Sequence, residues 1–135
     1  MVESSRLSGI KVGPELVPRM IDELPVLAVA ATQAEGETII TGASELRVKE
    51  TNRISAIVKN LQQMGADIVE TEDGMIIRGP VELKGAAVKS YGDHRVAMAM
   101  IVAGLVAEGK TVIDDEACID ISFPDFERVL KNVLR

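Results

Sequence analysis

Two short segments of the sequence concentrate charged side chains immediately before apolar segments with helical spacing. Residues 47–53 read Arg-Val-Lys-Glu-Thr-Asn-Arg, and residues 91–95 read Tyr-Gly-Asp-His-Arg. The N-terminus of a helix presents unpaired N–H groups and a partial positive charge, so it favours anions. Lys49 and Arg53 add positive charge at the first helix start, and His94 and Arg95 add it at the second. The pattern predicts a substrate that carries phosphate or carboxylate groups.

Each segment has a simpler interpretation when it is taken alone. A charged first turn is commonly no more than a capped, solvent-exposed helix start. Asp93 is expected to be the N-cap of the second helix, and an isolated histidine such as His94 is often a surface residue at such a position. Asp22, followed by Glu23, also suits a first helical turn because of the helix dipole. The anion-binding interpretation therefore requires that the two helix starts meet.

The composition is that of a globular domain and limits the available chemistry. The chain has 135 residues, of which 47% are hydrophobic, and its net charge of −6 argues against nucleic acid or an anionic membrane as a partner. One cysteine and one histidine exclude an internal disulfide, a cysteine-cluster metal site and a multi-histidine metal site. We expect no metal and no cofactor. The lone cysteine, with an N-terminus unlike a signal peptide and no apolar run long enough for a bilayer, predicts a cytoplasmic protein.

An internal repeat carries the fold prediction. Residues 22–40 and 95–113 each contain an apolar helix, an Ala-Glu-Gly sequence and a short β-branched strand. The glycine of each copy is placed where a helix C-cap requires positive φ. A strand is predicted ahead of each first helix, and a second helix follows in both copies. In the first copy, residues 67–78 then form a hairpin with an Asp-Gly turn.

The predicted fold class is α/β (α+β), with two consecutive βαβαββ-type repeat units. The first unit spans about residues 2–80, and the second, about residues 81–135, is incomplete because the sequence ends before its hairpin could form. We expect a mixed sheet with buried parallel helices packed on it. The helix that follows Arg95 is apolar on all sides, so we expect neighbouring helices to enclose it.

Four segments in a fixed order resemble the 5-enolpyruvylshikimate-3-phosphate synthase family. They are residues 18–25, residues 47–53, Asp93-His94-Arg95 with Ala97-Met98 behind it, and Ser122-Phe123-Pro124-Asp125-Phe126. The similarity covers essentially the whole chain. Members of the family are several times longer and have two domains, each built from three βαβαββ units. The resemblance implies that this chain is a C-terminal fragment, part of one domain of the enolpyruvyl transferase fold and about two of the six units.

The resemblance also implies an activity. Enzymes of this family transfer the enolpyruvyl group of phosphoenolpyruvate to the 5-hydroxyl of shikimate 3-phosphate and release phosphate, without a cofactor. Arg53 and Arg95 match the family's phosphoenolpyruvate clamp, and the planar guanidinium group suits either a carboxylate or a phosphate. His94 matches a neighbour of the phosphoenolpyruvate site.

Three further residues match family positions that act on or between the two substrates. Asp22 matches the carboxylate that binds the hydroxyls of shikimate 3-phosphate and can accept the 5-hydroxyl proton. Glu50 matches the acid that protonates the methylene carbon, a role we expect only in the closed complex with both substrates. Lys49 matches the residue that bridges the substrates and stabilises developing charge.

Some features depart from the family pattern and leave alternatives open. Many members have a lysine just before the Phe-Pro element, where this chain has Asp120 and Ile121. The N-terminal part of the family enzyme, which supplies the rest of the site, is absent from this sequence. One alternative is a fragment of the related UDP-N-acetylglucosamine enolpyruvyl transferase, and another is a non-catalytic anion-binding module.

Overall fold

The computed structural model describes residues 3–134, so residues 2 and 135, where the predicted units begin and end, lie outside the described part. The described residues form six strands and four α-helices. In chain order these elements are β1 (Lys11–Val12), α1 (Leu24–Thr32), β2 (Gly36–Ile40), α2 (Arg53–Gln63), β3 (Asp67–Thr71), β4 (Gly74–Gly79), β5 (Ala87–Val88), α3 (His94–Val106), β6 (Val112–Ile113) and α4 (Phe126–Val133).

The first four strands form one mixed sheet in the order β1-β2-β4-β3. β1 and β2 are parallel and are connected through α1, whereas β4 is antiparallel to both β2 and β3. The predicted hairpin is confirmed, but its turn is formed by Glu72 and Asp73, because Gly74 already pairs with Thr71. A Cβ atom at position 74 would collide with the backbone oxygen of Ile40. Gly74 is therefore required by the close approach of β2, not by the turn.

The second half of the described chain repeats the beginning of the first. β5 and β6 are parallel and are connected through α3, as β1 and β2 are through α1. Gly36 and Gly109 have φ values of 96° and 90°, so the predicted positive φ is confirmed, but the predicted C-cap role is wrong because the two helices are capped by Gln33 and Ala107. α4 follows β6, and no hairpin follows it within residues 3–134. The chain thus has an α/β fold of two consecutive βαβαββ-type units, of which the second is incomplete. The division near residue 80 stays a prediction.

The helices pack on the sheets around an aliphatic core. α2 buries the face that carries Ile54, Ile57, Val58 and Leu61, as its apolar spacing predicts. The expectation that neighbours enclose α3 is wrong for the end of that helix, where Leu105 is 47% exposed. α1, α2, β6 and the 3₁₀ helix Ala117–Ile121 pack against the buried face of α3. No helix among residues 3–134 is long and apolar enough to cross a membrane.

Two carboxylates accept hydrogen bonds from residues that are distant from them in the sequence, and so they connect separate segments of the fold. Partial burial acts to raise the pKa of Glu70, but hydrogen bonds from Arg47 at 2.7 Å and Ser55 at 2.8 Å outweigh it and hold that pKa below its ordinary value. The pKa of Asp114 is lowered mainly by the hydrogen bond that its side chain accepts from the backbone N–H of Ser90, at 2.8 Å. Both groups therefore favour folding in their ionised form.

These two contributions should make the chain less stable in acid. A carboxylate whose pKa is depressed in the folded state stabilises it above the ordinary pKa, and the stabilisation is lost as the pH falls through the folded value. We expect the Tm to decrease as the pH is lowered below about 4. The decrease should be less steep in the double variant Glu70→Gln with Asp114→Asn. Circular dichroism melts across the acid range measure this, with Glu3→Gln, at an exposed carboxylate, as the control. An identical pH profile for the double variant and the wild type would contradict the assignment.

Candidate anion-binding site

Both predicted helix starts are confirmed, and each begins with a side-chain cap. The side chain of Asn52 accepts a hydrogen bond from the backbone N–H of Ser55 at the start of α2, at 3.2 Å. The side chain of Asp93 accepts hydrogen bonds from the backbone N–H groups of Arg95 at 2.9 Å and Val96 at 3.3 Å at the start of α3. Arg53 is the first helical residue of α2, and Arg95 is the second helical residue of α3. Both arginines therefore lie directly after a capping residue or one position further along.

Arg53 is buried and contacts three carboxylates. Its side chain is only 2% exposed. The guanidinium donates to Asp93 through Nε at 2.8 Å, to Asp22 through Nη1 at 3.1 Å and to Glu50 through Nη2 at 2.6 Å. Burial by itself lowers the pKa of this group, but the hydrogen bonds and charges of the carboxylates outweigh it and raise the pKa above its ordinary value. The interpretation of residues 47–53 as a solvated helix start is wrong for Arg53.

Arg53 and Arg95 converge on one carboxylate. Oδ1 of Asp22 accepts from Nη1 of Arg53 at 3.1 Å, and Oδ2 of the same side chain accepts from Nη2 of Arg95 at 3.4 Å. Asp22 lies just before α1, so residues from three separate helix starts meet at this point. The carboxylate of Asp22 occupies the position between two guanidinium groups that a carboxylate or phosphate of a ligand would require. The meeting of the two helix starts is therefore confirmed.

The site is half open to solvent. The side chains of Asp22 and Glu50 are 44% and 49% exposed, whereas Arg53 behind them is buried. A cavity of about 230 Å³ adjoins Asp22 and Arg95, with apolar walls that include Phe123 and Phe126. This volume is below the range of about 300–1,000 Å³ in which small-molecule pockets usually fall. The cluster of Asp22, Glu50, Arg53 and Arg95 therefore lies at an open surface and not in an enclosed pocket.

Two of the predicted site residues are not part of this cluster. Nζ of Lys49 forms an ion pair with Oε1 of Glu45 at 2.8 Å, and no ion pair within residues 3–134 joins it to Asp22 or Glu50. His94 is the first residue of α3 and half-buried, and its imidazole forms no hydrogen bond with the described part of the chain. Geometry groups Asp22, Glu50, Arg53 and Arg95 in one cluster, and Lys49 and His94 are related to it only as chain neighbours of Glu50 and Arg95.

The chain matches one known protein family over nearly its whole length. The family model described as EPSP synthase (3-phosphoshikimate 1-carboxyvinyltransferase) matches residues 1–130. The chain belongs to the EPSP synthase family. A relative from Thermoanaerobacter sp. (strain X514), called 3-phosphoshikimate 1-carboxyvinyltransferase, is 59% identical over 125 residues, which are 93% of this chain and 30% of the relative. A relative of the same name from Alkaliphilus metalliredigens is 53% identical over 135 residues, 100% of this chain and 32% of its own length.

Solved structures of EPSP synthases show the same fold. A structure of EPSP synthase from Acinetobacter baumannii superposes with a TM-score of 0.90 at 40% sequence identity, covering 94% of this chain and 30% of that protein. A second structure of the enzyme from that organism gives a TM-score of 0.87 at 37% identity, with the same coverage. The fold is therefore part of the enolpyruvyl transferase fold, and the chain spans about a third of the length of the curated EPSP synthases that it matches.

Sequence reasoning missed the second role of one residue of this site and misjudged another. Asp93 was expected only as an N-cap, but its other oxygen binds Arg53. A cap uses one carboxylate oxygen, so an aspartate at a buried cap has a second one available, and this is a signal that could have been used. Arg47, grouped with the charged helix start, instead donates to Glu70 and to the backbone oxygens of Thr71 and Glu72. It holds the hairpin against the start of α2.

Replacing Asp22 with asparagine should tighten the binding of inorganic phosphate to this EPSP synthase segment. The carboxylate of Asp22 competes with a bound anion for Arg53 and Arg95, and asparagine removes its charge. We expect a roughly 1.5- to fivefold lower Kd, the range for partly exposed ion pairs, measured by calorimetric titration. Glu127→Gln, on exposed α4, changes the net charge equally and should leave the Kd unchanged. An unchanged or weaker affinity in Asp22→Asn would show that phosphate does not bind between the arginines.

Proposed function

We propose that this chain supplies the C-terminal part of a 3-phosphoshikimate 1-carboxyvinyltransferase. The enzyme transfers the enolpyruvyl group of phosphoenolpyruvate to the 5-hydroxyl of shikimate 3-phosphate and releases phosphate, in aromatic amino-acid biosynthesis. The observation that carries the proposal is the convergence of Arg53 and Arg95, from two separate helices, on a single carboxylate. Family membership supports it, and so does the name shared by relatives with 53–59% identity.

In this proposal the two arginines bind phosphoenolpyruvate, and His94 lies beside them. Each guanidinium can donate two N–H groups to a carboxylate or phosphate of that substrate. Arg53 already has its Nε on Asp93, which leaves its two Nη groups facing the exposed side. The phosphoenolpyruvate anion takes the place of Asp22 between the arginines.

Displacement of Asp22 links substrate binding to the first proton transfer. Once it is released from the arginines, Asp22 binds the hydroxyls of shikimate 3-phosphate and accepts the 5-hydroxyl proton as the oxygen attacks C2 of phosphoenolpyruvate. Glu50 gives a proton to the methylene carbon C3, forming a tetrahedral intermediate. Loss of a C3 proton and cleavage of the C2–O bond to phosphate then produce the enolpyruvyl product. Glu50 lies within 2.6 Å of Arg53 and so next to the bound substrate.

Lys49 bridges the two substrates and stabilises developing negative charge in this scheme. Its ion pair with Glu45 must first break. The partners are four residues apart and the carboxylate is 60% exposed, so the pair contributes only about 0.3–0.5 kcal/mol. Such a pair is readily exchanged for a doubly charged substrate.

The proposed site is completed by residues outside this chain. The wall formed by Asp22, Glu50, Arg53 and Arg95 is open on one side, and the matched EPSP synthases are about three times as long. We propose that the N-terminal part of the same enzyme covers this wall and supplies further phosphate ligands. We propose a cytoplasmic location, which a small-molecule metabolic role and the single cysteine support.

The proposal is tested by turnover of the isolated chain and of a graft. The isolated chain should release phosphate from the two substrates only at background, because half of the site is missing and proximity and water exclusion are lost. Grafted in place of the aligned 125 residues of the Thermoanaerobacter relative, it should restore turnover to that enzyme lacking its own segment. Robust turnover by the chain alone would contradict the half-site, and a folded but inactive graft would favour a non-catalytic anion-binding module.

A further inference from the structure

Asp93 is presented by a tight turn that precedes α3. The backbone N–H of Asp93 donates to the backbone oxygen of Ser90 at 3.1 Å, and Tyr91 and Gly92 between them have φ values of 55° and 68°. Two consecutive positive φ values with this hydrogen bond define a type I′ turn, in which an aromatic residue such as Tyr91 is uncommon. The turn is held from behind because Asp114 accepts the backbone N–H of Ser90. The position of Asp93 is therefore fixed by the fold.

The two oxygens of Asp93 perform different tasks. Oδ1 accepts the backbone N–H groups of Arg95 and Val96 and thereby begins α3. Oδ2 accepts Nε–H of Arg53, the first residue of α2, at 2.8 Å. The Asp93 side chain has no exposed area and Arg53 has almost none, so this pair is shielded from water and salt. One buried carboxylate thus connects the starts of the helices that carry the two clamp arginines.

We infer that Asp93 is a positioning residue that sets the spacing and orientation of the clamp, an inference that rests on the proposed function. An arginine side chain has four rotatable torsions, and ordering them when the substrate arrives would cost affinity. Anchoring Nε to Asp93 fixes the plane of the Arg53 guanidinium and directs both Nη groups toward Asp22 and Glu50. The same carboxylate fixes the backbone of Arg95. Asp93 contacts no substrate in this scheme and acts through both arginines.

The substitution Asp93→Asn keeps the shape of the side chain but removes its negative charge and one of its two acceptor oxygens. The amide has one acceptor oxygen and one donor nitrogen, so it can cap α3 or accept from Arg53, but not both. Whichever orientation it adopts, an N–H donor faces another donor in a buried place. Asp93→Ser gives a second variant, because serine is a good N-cap that is too short to reach Arg53.

We expect both variants to weaken phosphoenolpyruvate binding to the isolated chain about tenfold. In the grafted enzyme the KM for phosphoenolpyruvate should rise by a similar factor, while the KM for shikimate 3-phosphate changes much less. The Nε–H signal of Arg53 in nuclear magnetic resonance spectra should move upfield and exchange faster with water. Thr32→Val serves as the control, since it removes a buried hydroxyl hydrogen bond in α1 and lowers stability away from the clamp.

The outcomes distinguish this inference from the proposed function. If the graft that carries the wild-type segment folds but has no turnover, the proposed function fails. If that graft is active, and a folded graft with Asp93→Asn or Asp93→Ser has an unchanged KM for phosphoenolpyruvate, the positioning role is overturned. Equal rises in both KM values, matched by Thr32→Val, would also overturn it, because a loss of stability alone would then explain them.

Discussion

Replacing Arg53 with alanine is expected to lower the free energy of unfolding of this chain by about 3–5 kcal/mol, the usual cost of removing one partner from a buried ion pair. Asp93 would remain buried with its Oδ2 unpaired, and a cavity would form where the guanidinium packs at 2% exposure. Urea denaturation followed by circular dichroism measures the loss. A loss of unfolding free energy of this size would make Arg53 a structural residue as well as a candidate substrate-binding residue.

Arg95→Ala is the matched control for this prediction. The Arg95 side chain is 35% exposed, and its ion pair to Asp22, at 3.4 Å, is long and partly solvated. Its removal should cost less than about 1 kcal/mol, as for other exposed pairs. Equal destabilisation by the two substitutions would contradict the distinction between a buried anchor and a partly exposed ligand.

Arg95→Ala should have its large effect on substrate binding. In the grafted enzyme, we expect the KM for phosphoenolpyruvate to rise roughly ten- to hundredfold, because a charge-assisted pair contributes about 1.5–3 kcal/mol. The KM for shikimate 3-phosphate should change little, since Arg95 is not proposed to contact that substrate. Steady-state kinetics with each substrate varied in turn measure both values.

The control for that experiment is Arg95→Lys. Lysine keeps the positive charge but loses the planar pair of N–H donors, so it should recover only part of the affinity. Comparable losses for the two substrates in Arg95→Ala would indicate a damaged fold. No loss for either would remove Arg95 from the clamp.

Local sequence signals were sufficient to predict most of the fold. The apolar spacing of α2, its Asn52 cap and the alternation of the hairpin all depend on residues near one another in the chain, and all three features are present. The internal repeat predicted matching β-α-β segments, which the parallel pairs β1–β2 and β5–β6 confirm. The role of Gly74 could not be predicted, because it depends on the carbonyl of Ile40 in a neighbouring strand.

The candidate site was predicted in its residue types but not in its energetics. Charged residues at two helix starts indicated an anion site, and the structure brings Arg53 and Arg95 together at Asp22. The burial of Arg53 and its pairing with Asp93 depend on how α2 and α3 pack. That packing cannot be predicted from residues near one another in the sequence. Lys49 was predicted to face the substrates, but a partner four residues earlier, Glu45, was equally available to it.

The central claim is that one anion binds between Arg53 and Arg95, and titration of the isotope-labelled chain with phosphoenolpyruvate tests it most directly. His94 is the single histidine of the sequence, so its imidazole signals need no assignment and report on the start of α3. We predict that the Nε–H signals of Arg53 and Arg95 and the His94 signals shift together and give one Kd. Shifts confined to other arginines, or different Kd values for Arg53 and Arg95, would contradict a shared site.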